Sequence, residues 1–418
     1  ALAGAGLAFA VLAVVAAVTV PWSWVPGGHL VPPSAGSLFT PEQIARAERY
    51  AHARRLVAWS SYGVSLAGLV ALGLTPLGAR LLRRVQGGRR WWTAVPTGVL
   101  VVLLVERALT LPFALVGHRL SVENGLSRQG WGGFLLDVLR SFGVSWVATS
   151  VALLLLVGLA RRSRRWWFAG ASVAAVVLVL AGSFLYPVLV EPVFNRFTPM
   201  ADGPFKASVM RLAAREGVQV DDVLVSDASR RTTTVNAYVS GFGGTRRIVV
   251  YDTLLSSLTP AQARVVIAHE LGHARHDDVL LGTALGSLAA VGGVCLLGVA
   301  LDDRRLRRRS RTHGPADPAG VALVLALVAV GGLLASPVQN TVSRAIEARA
   351  DVDAIRVTGS DETFVQMQRR FALTSLADPT PPWLSQLWWG SHPTVLERAG
   401  LPAALRRAEQ AARSAAVP

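Results

Sequence analysis

Long apolar runs alternate with short arginine-rich stretches over most of this chain. Seven runs, near residues 2–20, 57–79, 94–117, 142–160, 166–186, 279–301 and 319–337, reach or approach the roughly 20 residues that a helix needs to cross a bilayer. The first has the length of a signal peptide, but no A-x-A-like site with a polar start follows it. Pro21-Trp22-Ser23-Trp24 reads instead as an aromatic belt at the membrane interface, which predicts a retained helix. The third run carries Glu106-Arg107. Ionisable groups at that depth are costly unless they pair or face water, so they read either as a helix-end ion pair or as the lining of a polar cavity.

Two regions break the apolar pattern. Residues 187–278 mix strand and helix signals. Val223-Leu224-Val225 predicts a strand, and Val235 to Val239 with Arg247 to Tyr251 predict a hairpin around Gly241-Phe242-Gly243-Gly244. Residues 338–418 predict helices, interrupted by a proline- and tryptophan-rich stretch from Pro379 to Trp389. The chain thus divides into a membrane region at 1–186 with five spans, a polar region at 187–278, two spans at 279–337 and a second polar region at 338–418. Two spans separate the polar regions, so both fall on one side of the membrane and can share a site. No repeat of solenoid period is visible.

Composition agrees with this reading. Of the 418 residues 52% are hydrophobic and 16% charged, with a mean hydropathy of +0.42; soluble domains average about 25% charged residues. The net charge of +16 does not indicate nucleic acid, because the arginines concentrate in short loops between spans, such as Arg161-Arg162-Ser163-Arg164-Arg165. Lys206 is the only lysine, and this bias, with abundant Ala, Val, Leu and Gly, points to a GC-rich bacterial genome. The single cysteine, Cys295, excludes an internal disulfide and a cysteine zinc cluster, so a zinc site here must use histidine and carboxylate.

Such a site is suggested by His269-Glu270-Leu271-Gly272-His273, which follows the apolar run Val265 to Ala268. On a helix, histidines four apart lie one turn above each other and can reach one ion. Glu270 projects beside that ion, where it can take a proton from a bound water. Two histidines leave a catalytic zinc one protein ligand short. The best place to look is Ser343 to Asp351, read as a helix with Glu347 and Asp351 on one face. There Glu347 can bind zinc while Asp351 orients a ligand imidazole; alternatively, both carboxylates form a solvated face with Arg344 and Arg349. Glu362 and Glu397 are competing ligands. His276 points away from the shared metal and reads as surface, with Asp277 and Asp278. The motif helix is expected to run directly on into the sixth span.

Together these residues resemble the type I CAAX prenyl endopeptidases, integral-membrane zinc metallopeptidases of the gluzincin group. The resemblance runs through Leu111-Pro112-Phe113, Glu123-Asn124-Gly125-Leu126, Pro192 to Pro199, Asp227-Ala228-Ser229-Arg230-Arg231, Asn236-Ala237-Tyr238, Arg247 to Leu254, His269 to His273, Glu347 to Asp351 and Ser391-His392-Pro393. It implies a mainly α fold with about seven spans around a water-filled chamber, and a gluzincin-like protease domain with a small β-sheet. It further implies one zinc ion per chain on His269, His273 and Glu347, with Glu270 as general base and Asp351 behind a ligand histidine. Asn236, Ala237 and Tyr238 become the edge strand that receives an extended peptide, a mode that main-chain hydrogen bonding favours. His392 and Arg398 become the groups that stabilise the oxyanion. The implied protein is a bacterial, multi-pass cell-membrane endopeptidase acting on peptides, prenylated or not.

The chain departs from the family in one stretch. Ala274-Arg275-His276-Asp277-Asp278 lacks the aromatic residue and later histidine of eukaryotic members, and its acidic residues are like those of bacterial heat-shock membrane proteases, so the substrate class stays open. The densest positive charge lies at Arg80 to Arg90, Arg161 to Arg165 and Arg304 to Arg311. The positive-inside rule puts those loops in the cytoplasm and the catalytic regions outside, whereas eukaryotic members face their site to the cytosol. A channel or transporter is the reading from a different class; it predicts broken helices and no zinc.

Overall fold

A computed structural model describes residues 1–241 and 246–415. Seven helices among the described residues are long and apolar enough to cross a membrane: Leu2–Thr19, Pro41–Leu74, Trp91–Glu123, Trp131–Arg162, Trp167–Phe194, Asp278–Asp302 and Pro318–Thr358. They coincide with the seven apolar runs, and all but the first extend beyond their run at one end or both, because polar flanks that hydropathy ignores remain helical. The second span begins at Pro41, where Thr40 and Gln43 form a reciprocal capping box. It stops at Leu74 rather than near residue 79, since Pro76 lacks the N–H that would continue the ladder and starts a separate helix, Pro76–Gln86. Pro96 and Pro112 sit inside the third span without breaking it.

The second to seventh spans form a ring in which the fifth touches the fourth and sixth, the fourth touches the third, and the second lies between the third and seventh. The sixth and seventh close it, and the first span packs on the outer side of the sixth. Buried residues gather at the ends of this ring and thin out between them. In the seventh span the run Val321–Val324 and Ala326 is buried, and the next buried residue is Asn340. One core forms at the end that holds Leu82, Val95, Trp167 and Leu323. The other lies at the opposite end and contains the sheet.

That sheet has four strands, β1 (Phe197–Pro199), β2 (Asp222–Ser226), β3 (Ala237–Ser240) and β4 (Arg247–Tyr251), in the order β1-β2-β4-β3. β2 and β4 are parallel, and β3 pairs antiparallel with β4, Tyr238 opposite Val249. The strand at 223–225 and the two arms of the hairpin are therefore present; the expected turn falls largely on residues 242–245, outside the described residues. Ile248 and Val250 of β4 pack with Ile267, Ala268 and Leu271 of the next long helix and with Phe364 and Met367. β3 is left as an edge.

Candidate metal centre

The helix Pro260–Arg275 carries the histidine pair. Thr259 caps it reciprocally with Gln262, and Pro260 occupies its first turn. Ile267, Ala268 and Leu271 are fully buried, so the helix is clamped on its apolar side and turns Glu270 and His273 toward a cavity. It does not run on unbroken into the sixth span, as the sequence suggested. It ends at Arg275, Asp277 takes a left-handed conformation (φ 52°), and the span starts at Asp278.

The helix crosses the C-terminal half of the seventh span, where Gly272 lies against Ala350; a Cβ there would meet the Ala350 Cα at 3.4 Å. This close crossing brings Glu347 to the histidines. Nε2 of His269 lies 3.2 Å from Nε2 of His273 and 3.1 Å from a Glu347 oxygen, and His273 Nε2 is 3.6 Å from the other. The three donor atoms all lie within 4.8 Å of one another.

Carboxylates fix the outer side of each imidazole. His269 Nδ1 donates to Asp351 at 2.9 Å and His273 Nδ1 donates to Asp278 at 2.9 Å. Each neutral ring then presents its Nε2 lone pair to the centre. Two lone pairs and a carboxylate thus converge where only a positive charge reconciles them. Burial lowers the pKa of His273, but its hydrogen bonds to Asp278 and Glu347 outweigh this and push it up to about 10 in the metal-free protein. The residues fit a divalent ion, and a His₂Glu set with borderline-soft nitrogens suits zinc.

Asp351 is fully buried and is held by Arg398 through Nε at 2.7 Å and Nη2 at 2.6 Å. Arg398, expected beside the reacting carbonyl, is therefore fastened behind His269 and does not line the cavity. Asp278, expected at the surface, is buried and receives Arg349 on its other oxygen. His276 pairs with Asp353 at 2.8 Å, away from the centre, and Asp277 pairs with Arg246 at the surface. Glu362 accepts from Gln366, and Glu397 accepts from the Thr394 backbone, so neither reaches the histidines. Arg344 does not neutralise Glu347. It donates to the carbonyls of Gln386 and Gly390, which tether the turn bearing His392. Gln386 also donates to the His392 carbonyl, and His392 Nε2 comes within 3.3 Å of Glu347.

The cavity holds about 510 Å³. Glu270 and His392 border it, and Asn236, Ala237, Tyr238 and Val239 of the β3 edge form its wall. Burial pushes the Glu270 carboxyl above the usual range, against the pull of the two imidazoles. Tyr251 N donates to the Asn236 carbonyl. By strand alternation the main-chain groups of Ala237 and Val239 then point away from β4. The Ala237 N–H is covered by the Asn236 side chain at 3.0 Å.

Comparison with known proteins covers nearly the whole chain. The pattern of "Peptidase family M48" matches residues 199–405, and that of "CAAX prenyl protease N-terminal, five membrane helices" matches residues 27–196. An uncharacterized metalloprotease of Bacillus subtilis, YhfN, is 28% identical over 366 residues, 87% of this chain and 86% of that protein. A CAAX prenyl protease 1 homolog of Arabidopsis thaliana is 27% identical over 308 residues, 71% and 70% of the two chains. The crystal structure of S. mikatae Ste24p superposes with a TM-score of 0.78 at 20% identity, covering 96% of this chain and 98% of that one, and so has the same fold.

Proposed function

This chain belongs to peptidase family M48, in its CAAX prenyl protease branch, as a multi-pass membrane metalloprotease, and from that premise we propose a zinc endopeptidase that cuts extended peptides laid along β3. The supporting observation is that one cavity contains the edge of β3, Glu270 and the His269–His273–Glu347 cluster. Zinc on those three residues would supply Lewis acidity, acidifying a water and polarising the scissile carbonyl. Glu270 takes the proton from the attacking water and passes it to the leaving amine. A carboxylate with a raised pKa is better matched to both transfers at neutral pH. His392 is within reach of Glu347 and donates to the substrate carbonyl oxygen as negative charge builds on it and its carbon becomes tetrahedral. Asp351 and Asp278 keep the ligand rings in the Nδ1–H tautomer, and Arg398 acts through Asp351 as a positioning residue. Asn236, Ala237, Tyr238 and Val239 hold the substrate main chain as an added strand.

Glu270→Gln is expected to keep its metal, by elemental analysis, while lowering kcat by roughly 10²–10⁴-fold; near-normal turnover in that variant sinks the mechanism. His269→Ala and Glu347→Ala are expected to lose metal. For the substrate class, matched farnesylated and unprenylated peptides are compared. A CAAX-type enzyme cleaves the farnesylated peptide selectively; equal cleavage of both assigns the activity to membrane-associated peptides at large.

A further inference from the structure

The three arginine-rich loops meet at the end of the ring opposite the metal centre. From Val321 to Glu347 the seventh span advances about 26 residues, roughly 39 Å of helix, so the two ends lie on opposite membrane faces. At the far end Arg83 donates to the Arg311 carbonyl, joining the first and third of these loops. Beside them lies a cavity of about 500 Å³, lined by Arg89, Arg90, Trp91, Trp92 and Arg161. None of these three arginines forms an ion pair among the described residues. Their positions are nonetheless set. Arg89 donates to the Val85 and Gln86 carbonyls, Arg90 lies 5.1 Å over the Trp92 ring, and Arg161 lies 5.7 Å over the Trp91 ring. The third span starts here, at Trp91, without a side-chain cap or an acidic residue in its first turn. Its dipole adds positive potential to the same cavity.

Three unneutralised guanidinium groups around one concavity call for a multivalent anion. The location says which one. Trp92 is 46% exposed at the end of a span, as expected of an indole at the level of the lipid headgroups. Basic pockets between membrane helices suit phosphate-bearing headgroups. We propose that this cavity binds the headgroup of an anionic phospholipid, with Arg89, Arg90 and Arg161 holding the phosphate and Trp91 and Trp92 lying against the glycerol and upper acyl region.

The test uses delipidated full-length protein in a neutral detergent, titrated with phosphatidylglycerol, phosphatidylcholine or inorganic phosphate and read by native mass spectrometry. Phosphatidylglycerol is expected to bind, and the triple variant Arg89→Gln/Arg90→Gln/Arg161→Gln to bind it on the order of a hundredfold more weakly. Arg304→Gln/Arg305→Gln/Arg308→Gln removes equal charge from exposed positions nearby and should leave binding intact. Should the first triple variant not fold, Arg161→Gln alone should weaken binding by roughly fivefold. Equal losses from both triple variants, equal binding of phosphatidylcholine, or binding of inorganic phosphate alone would overturn the proposal.

Discussion

His269 and His273 can be read from the sequence because helical geometry alone puts residues four apart on one face. Asp278 cannot, although it holds the second imidazole. It lies five residues beyond His273 and across a helix break, and only the left-handed Asp277 turns its carboxylate back toward the ring. The same limit applies to Arg398, which reaches Asp351 from a separate helix. Each histidine of the cluster therefore has a carboxylate behind it and an arginine behind the carboxylate, and only the Asp351 carboxylate was legible beforehand. Asp278→Asn keeps the size of the side chain but gives up a charged acceptor. It is expected to weaken metal affinity by roughly 10–100-fold, measured by competition with a chelator; unchanged affinity would reduce Asp278 to a partner of Arg349.

Helices and strands were largely visible as patterns, since apolar length marks a span and alternation marks a half-buried strand. Their ends were less visible. Hydropathy stops where polar residues begin, although a capped helix such as Pro41–Leu74 starts well outside the apolar run. The edge position of β3 follows from strand order, which no local pattern encodes. If substrate pairs with that edge, Val239→Pro removes an outward N–H at a position where an edge strand tolerates proline. kcat/KM should fall by roughly five- to tenfold, with metal content and melting temperature unchanged; unaltered kcat/KM would argue against the added strand. Span packing also depends on close approach. A Cβ at Gly73 would sit 2.5 Å from the Ala326 Cβ and 2.6 Å from the Ala322 carbonyl, whereas Gly63 in the same span has open space. Gly73→Ala should destabilise by about 1–3 kcal/mol, seen as a lower melting temperature, while Gly63→Ala should not.

At the scale of the whole molecule, an even number of spans between the polar regions puts both on one side, and the structure builds a single site from them. The arginine-rich loops gather at the other end, so the positive-inside rule predicts a cytoplasmic basic end and an active site facing out. A reporter inserted after Arg308 should be active in the cytoplasm, and one inserted after Asp277 only outside the membrane; the reverse pattern would turn the protein over. The sequence by itself determined the number of spans and put His269, Glu270 and His273 on one helix, because bilayer thickness and helical periodicity act on neighbouring residues. Only the tertiary structure decided that Asp278 is buried, that Arg398 stands behind Asp351, that β3 borders the His269–His273–Glu347 cluster and that three arginines from two separate loops surround one cavity. Those contacts join residues distant in the chain, and their geometry comes from how helices cross and strands order, which local periodicity does not carry.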